Sequence, residues 1–538
     1  MKGRFGANQF AFALLAGAFG LAAWQVLGRG GAVAGSDRVV VRLAHAQLET
    51  GMREAFAALA ADYTALNPGV TVEQVAVPRR TWAAWLRTQL VGGTTPDLVQ
   101  LVDNDRSLVR RYFQPLDTWM AQPNPHNAGT PLAGVPWQDT FIAPLAEPPV
   151  YWPTFFGVYA VPTTLFTMRV YYNRTLLREI TGGDEAPTTY EEYVALCRRV
   201  QDWAQRTGRT VYPVASSRIT PSADIFFQRL FESQTQRLIE RIDRSRTLGG
   251  GGGAGGEVRL KALTEGIRGT WKLEDPALQA SLRLAREAGG FFQPGFLAAD
   301  RDEALFLFLQ GRALMIVTGS WDYQSITSQV PFETGVLKIP VPARTNPDFG
   351  RFVLGPWSEA NTSFRGAFAL ARTSRHPEAA MDFMRYLTSA RAHEKFARLC
   401  GWLPAVRGVE PAEAVRAFYP ELGGYPRGFS WSTGVETQRL WSTYAHLLFA
   451  SEDGVAEFTR TVGPLMREAL LADETKESRE LVPTLAAADA QATADWALGA
   501  LGTPLLTPAK RSELFESQHA QERDWLVSQG LQATFGRK

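Results

Sequence analysis

Two groups of polar side chains stand where they can meet a ligand. Gln47 and Glu49 follow the run Val39-Val40-Val41, and Asp103, Asn104 and Asp105 follow the segment from Asp97 to Val102. Carboxylates and amides accept hydrogen bonds from hydroxyl groups and present flat polar edges. The same residues also fit an ordinary solvated loop or a helix cap. A third position is aromatic. The run Ala313-Leu314-Met315-Ile316-Val317 reads as a buried strand that delivers Gly319-Ser320-Trp321 to its carboxyl end. An indole there can stack on a flat apolar face, or it can pack as a core tryptophan. The chain carries 15 tryptophans, a surplus suited to stacking rings against flat ligands.

Catalytic and metal chemistry find no matching pattern. No G-x-S-x-G, H-E-x-x-H or Walker-type motif occurs. The six histidines, His45, His126, His376, His393, His446 and His519, lack metal-ligand spacing. Two cysteines, Cys197 and Cys400, are too few for a thiol-rich metal centre, and sequence alone does not pair them. Asp300 and Asp302 precede an apolar helix, so they read as a charged first turn rather than a cation site. Acidic residues are plentiful, but none lies in a recognisable hydrolase context. No cofactor or metal is expected.

The elements that position these residues follow from periodicity. Met52, Phe56, Leu59, Tyr63 and Leu66 recur on one helix face, and Asn67-Pro68-Gly69 stops that helix. Val70 to Val77 reads as a strand, Trp82, Leu86 and Leu90 mark a helix, and Asp97 to Val102 is a third strand. Alternation of this kind implies a parallel, doubly wound α/β sheet, whose ligands sit beyond the carboxyl ends of the strands. Residues 120 to 156, rich in Pro and Trp, read as an irregular insertion near the cleft. Residues 188 to 207 read as an amphipathic helix. Residues 249 to 256 are nearly all glycine and read as a flexible surface loop. From about residue 474 the pattern becomes Ala-, Glu- and Gln-rich helix.

The length of 538 residues suits two lobes plus extensions. With 45% hydrophobic and 20% charged residues, the chain has the composition of a globular protein with a substantial core. Its net charge of +2, with no long basic run or basic–aromatic alternation, gives no sign of a nucleic-acid surface. Lys2 and Arg4 precede an apolar run from Phe10 to Leu27, followed by Ala32-Val33-Ala34, which reads as an export signal or a retained anchor. The remainder is expected outside the cytoplasm, in the periplasm or cell envelope, as a monomer.

Several segments, in order, carry a family resemblance. They are Tyr63 through Asn67-Pro68-Gly69-Val70; Thr95-Pro96-Asp97-Leu98-Val99; Gly157-Val158-Tyr159-Ala160-Val161-Pro162 with Tyr171-Tyr172-Asn173-Arg174; Gly311-Arg312-Ala313-Leu314-Met315 through Gly319-Ser320-Trp321; Gly335 to Pro340; Pro377-Glu378-Ala379-Ala380 through Leu387; and Gly401-Trp402-Leu403-Pro404. The chain resembles the extracellular solute-binding proteins of the maltose-binding type over roughly residues 38 to 470. The resemblance implies an α/β fold, the two-lobed type II periplasmic binding protein fold, here with a C-terminal helical extension. It implies capture of a sugar or oligosaccharide by hinge closure, and delivery to the permease subunits of an ABC transporter. The expected division is 1–36 signal or anchor, 37–158 lobe one, 159–334 lobe two, 335–400 lobe one again, 401–473 lobe two again, and 474–538 extension. The chain should cross near Tyr159, Ile339 and Trp402.

Under this resemblance Trp321 faces the cleft. Tyr159 and Trp402, at crossovers, line the hinge or pack it. Trp357 in Gly-Pro-Trp precedes the Phe364 to Leu370 strand on the cleft side of lobe one. Trp431 and Trp441 fall where the family places a further aromatic in lobe two, and one of them should reach the ligand. Trp82 and Trp85 read as packing. A secreted carbohydrate-active enzyme and a membrane-anchored sugar-sensing module are the alternatives.

Overall fold

The structure is a computed structural model that describes residues 38–536 except 49, 103–105, 144, 146–148, 153–156, 219–222, 243–256, 360–363, 426, 433 and 503–507. The expected export segment and the glycine run lie outside the described residues.

The first sheet has six strands: β1 (Val39–His45), β2 (Val70–Ala76), β3 (Leu98–Leu101), β6 (Val161–Leu165), β11 (Phe364–Leu370) and β12 (Leu403–Pro404), while β4 (Tyr151–Trp152) and β5 (Gly157–Val158) pair with each other apart from it. Their order is β12-β6-β11-β3-β1-β2. β1 lies between β2 and β3 and is parallel to both, with Val39 opposite Val70 and Leu43 opposite Leu98. The two crossover helices, Thr50–Leu66 and Arg79–Gly92, bury Phe56, Leu59 and Tyr63, and Trp82, Leu86 and Leu90 respectively. Gly93 ends the second helix with φ 67°, a left-handed cap that glycine adopts without a Cβ clash. β11, β6 and β12 then pair antiparallel and return the chain through the same sheet.

The second sheet has β7 (Met168–Asn173), β8 (Tyr212–Ala215), β9 (Ala313–Gly319) and β10 (Thr334–Leu337) in the order β10-β7-β9-β8. Side chains of a strand alternate between faces. Val170 and Tyr172 therefore enter the large second core, while Tyr171 enters a smaller one with Leu165, Leu403 and Phe418. That small core joins both sheets where the chain crosses between them.

The first crossing differs from the expected position. The chain passes from the first sheet to the second between Leu165 and Met168, not near Tyr159, and Tyr159 is buried in the first core. Gly335 to Leu337 pair antiparallel with β7, so the chain leaves the second sheet after Leu337, beside the expected crossing at Ile339 but beyond the expected lobe boundary at 335. Among the described residues of 120 to 156, none lines the cleft. Trp137, Phe141 and Trp152 fill the first core, and the Trp137 indole donates to Thr388 Oγ1 at 3.0 Å. No break falls at residue 474, because a single helix runs from Gly454 to Ala500 and packs on the Val435–Ala450 helix. Asp473, midway along it, accepts the backbone N–H groups of Glu436 and Thr437 and so caps that neighbour. The Pro508–Phe535 helix folds back against it.

Cys197 and Cys400 do not pair. Each is buried in a different core. Burial raises both thiols, Cys400 up to about 12.

Candidate functional site

A cleft of about 1270 Å³ opens where the crossing segments meet the second lobe. Its floor is the crossing segment Phe166 to Arg169. Arg169 is almost fully buried, and its guanidinium is saturated. It donates to both carboxylate oxygens of Glu359, at 2.8 and 3.0 Å, and to the carbonyls of Met168, Ala417 and Tyr419. This one side chain ties together all three crossings between the lobes. Burial alone would raise the Glu359 carboxyl, but the Arg169 guanidinium outweighs it and holds the group below its usual range.

Trp321 stands at the carboxyl end of β9 and lines the cleft. A Cβ on Gly319 would lie 2.1 Å from its ring, so only glycine lets the indole fold back over the strand end. The ring leans on Phe166 at 5.1 Å, and Phe166 meets Trp402 edge-on at 4.8 Å. Asp322 accepts two bonds from Arg301 and fixes the short turn that carries Trp321. Asp300, by contrast, caps the following helix with Glu303 in a reciprocal capping box.

The far wall comes from the Ala223–Gln234 helix and the segment after it. Five consecutive polar residues, Glu232 to Gln236, are all buried. Thr235 Oγ1 donates to Phe429 O and accepts from Phe429 N–H, at 2.7 and 2.9 Å. Gln236 accepts from Leu354 N–H and donates to Gly355 O. Gly428 crosses this turn so closely that a Cβ there would lie 2.1 Å from the Glu232 carbonyl oxygen. The close approach sets Arg427 beside Glu232, at 3.6 Å, and Arg229 donates to the same carboxylate from the other side. Trp441, Phe227 and Phe231 complete the aromatic part of this wall.

The expected residues divide as follows. Trp321, Trp357 and Trp441 line the cleft together. Trp431 does not. It is 1% exposed and packs against Phe231, Trp441 and Phe458. Trp402 is 3% exposed and backs Phe166 from the first core. Tyr159 is likewise core. Gln47 is half buried and does not line this cleft, although β1 runs parallel to β6 and so ends on the same side of the sheet as the first crossing. Glu49, Asp103, Asn104 and Asp105 lie outside the described residues. The sequence reading missed Arg229, Glu232, Gln236, Arg344 and Arg427. A run of polar residues after an apolar helix carries no mark that it will be buried.

Among the described residues, no group of three or more His, Cys, Asp or Glu is placed to hold a metal ion. No helix among them is long and apolar enough to cross a membrane.

Two α/β lobes joined by crossing strands, with an aromatic and polar cleft at the join, define a two-lobed binding-protein fold. Solved structures share it. The apo form of RafE from Streptococcus pneumoniae matches with a TM-score of 0.52 at 19% identity, over 82% of this chain and 98% of that one. The GacH receptor of Streptomyces glaucescens GLA.O matches with a TM-score of 0.52 at 16% identity, over 80% and 98%. The chain belongs to the bacterial extracellular solute-binding protein family, which it matches over residues 58–419. A multiple sugar-binding protein of Streptococcus mutans serotype c is 25% identical over 253 residues. That alignment covers 47% of this chain, and the chain spans about half the length of that relative, 52%.

Proposed function

We propose that this exported binding protein captures a sugar or oligosaccharide in the cleft and presents it, lobes closed, to the permease of an ABC-type importer. The cleft carries the reading. Trp321 and Trp357 at its edge offer flat apolar faces, with Trp441 packed behind the far wall, and amide, hydroxyl and guanidinium groups offer directional hydrogen bonds. Its volume of about 1270 Å³ exceeds the roughly 300–1,000 Å³ of ordinary small-molecule sites, which favours more than one sugar ring. The sugar-binding relative in Streptococcus mutans points the same way. Hinge closure draws support from the three crossings converging on Arg169.

Hydrolysis fits the cleft less well. A glycosidase keeps one carboxyl group protonated as its acid. Glu232, Glu359 and Glu421 on this wall each face an Arg or Lys. The test is titration calorimetry of the wild type and Trp321→Ala with malto-, galacto- and xylo-oligosaccharides. Binding by the wild type, weakened roughly thirtyfold in the variant at an unchanged melting temperature, is expected. Release of shorter sugars on prolonged incubation would instead establish the enzyme.

A further inference from the structure

The helical hairpin of Gly454–Ala500 and Pro508–Phe535 lies beyond residue 419, where the family match ends, and its polarity is inverted. Apolar contact with the core of the second lobe stops at Leu471 on the first arm and resumes at Val527 on the second. Between those points the arms bury polar groups. Glu474, Asp495 and Gln521 are all buried, and Arg511 of the second arm donates to Asp495 of the first at 2.6 Å. Among the described residues, the apolar cluster that joins the arms there is only Ala488, Ala492 and Leu514.

The large apolar side chains are instead outside. Trp496 is 78% exposed and Leu526 62%, and Val482 and Phe515 are exposed as well. Their spacing is regular. Val482, Ala486, Asp489, Thr493, Trp496 and Ala500 follow one another at alternating steps of four and three, and so do Phe515, His519, Glu522 and Leu526. Each set is one stripe along its helix. Asp489 meets Gln518 and Asp495 meets Arg511 across the seam, a register that sets Val482 level with Leu526. Each stripe lies about a third of a turn from its own seam in the direction of increasing residue number. Because the arms are antiparallel, both stripes open on the same side of the hairpin.

Two helices with so small an apolar seam and an apolar outer side make half of a four-helix bundle. The face is about 30 Å long and two helices wide, or about 600 Å² on each chain. Paired with its own copy about a twofold axis it buries about 1,200 Å², which reaches the range of stable specific interfaces. A lipid surface fits less well. Ala486, Thr493 and Ala500 are small, which suits close helix packing, and neither stripe carries a Lys or Arg to meet anionic headgroups.

We propose that the face of Val482, Trp496, Phe515 and Leu526 receives the same face of a second copy of this chain. The protein is then a dimer held by a four-helix bundle, rather than the expected monomer, and the bundle uses none of the residues that line the cleft.

Sedimentation equilibrium of the full chain is expected to give twice the mass of one chain at micromolar concentration. Trp496→Glu and Leu526→Glu place carboxylates inside the bundle and should each weaken the dimer at least roughly tenfold. Both positions are exposed in the single chain, so at dilutions where the wild type is monomeric the variants should melt with it. Glu516→Lys, exposed on the same arm but off the stripe, should leave the dimer intact. A chain that stays monomeric up to about 100 μM overturns the inference. So does a dimer that neither stripe variant weakens, or one that Glu516→Lys weakens as much. Co-sedimentation with vesicles of phosphatidylethanolamine and phosphatidylglycerol decides the other occupant. Vesicle binding that is lost in Trp496→Glu, with no dimer in solution, assigns the face to the membrane and overturns the proposal.

Discussion

His393 gives the structure a measurable response to acid. The side chain is fully buried, and its ring has a partner at each nitrogen. Nδ1 lies 3.1 Å from Leu387 O, and Nε2 accepts the Ala405 N–H at 3.0 Å. The second bond requires a neutral ring with an unprotonated Nε2, so Nδ1 carries the proton and donates it to Leu387. Burial is the main cause that lowers the pKa, from 6.5 to about 4, and the Leu387 carbonyl opposes it only in part. Between those two values the unfolded chain binds a proton that the folded chain refuses. Stability is therefore full above about pH 6.5 and falls as the pH drops toward 4. The gap of about 2.5 pH units, at 1.36 kcal/mol per unit, comes to about 3 kcal/mol. The site of failure is specific, because Ala405 follows β12, the edge strand that pairs with β6 just before the first crossing. Urea unfolding at pH 7.0 and 4.2 on the wild type and His393→Gln tests it. The amide does not titrate, so carboxylate contributions cancel in the comparison. The wild type should lose about 3 kcal/mol more than the variant over this interval. Parallel losses in the two proteins would refute the assignment of a neutral, Nε2-accepting ring.

Further outcomes follow from named contacts. Arg169→Met should cost about 3–5 kcal/mol, because it leaves the Glu359 carboxylate without its main counter-charge. Lys338→Met, at an exposed pair, should cost less than about 1 kcal/mol in the same thermal melts. Trp431→Ala should cost about 3–5 kcal/mol of stability while folded molecules keep their ligand affinity, the opposite pattern to Trp321→Ala. Gly428→Ala should abolish ligand binding in calorimetry, since its Cβ cannot share space with the Glu232 carbonyl. Neither thiol should react with a disulfide reagent in the native protein, and both should react in denaturant.

Much of the fold was readable because it is written in periodicity. The spacing of Met52, Phe56, Leu59 and Tyr63 could serve only a helix packed on one side, and the β-branched runs on either side of it could serve only strands. The order of segments around Trp321 and Pro377 to Leu387 then pointed to two lobes. The aromatic part of the cleft was half legible. A tryptophan near a crossover is equally at home stacking on a ligand or filling a core, and only packing decides. Trp402 and Trp431 have such partners in Phe166 and Phe458, whereas Trp321 has an open face because Gly319 lets it fold back. The charged part was not legible at all. Arg229 and Arg427 are brought together across nearly two hundred residues by the close passage of Gly428 over the 232–236 turn, and no local pattern encodes that meeting.

The helix from Gly454 to Ala500 has a mechanical consequence. Its first half is bonded into the second lobe, and at Pro483 its backbone carbonyl receives Arg110 from a helix of the first, at 3.5 Å. At 1.5 Å per residue, its 47 residues cover about 70 Å of path, with Pro464 and Pro483 set inside it where a proline bends a helix. A helix that touches both lobes must follow or resist any change in the angle between them, and a fluorophore at the exposed Leu501 would read that angle without touching the site.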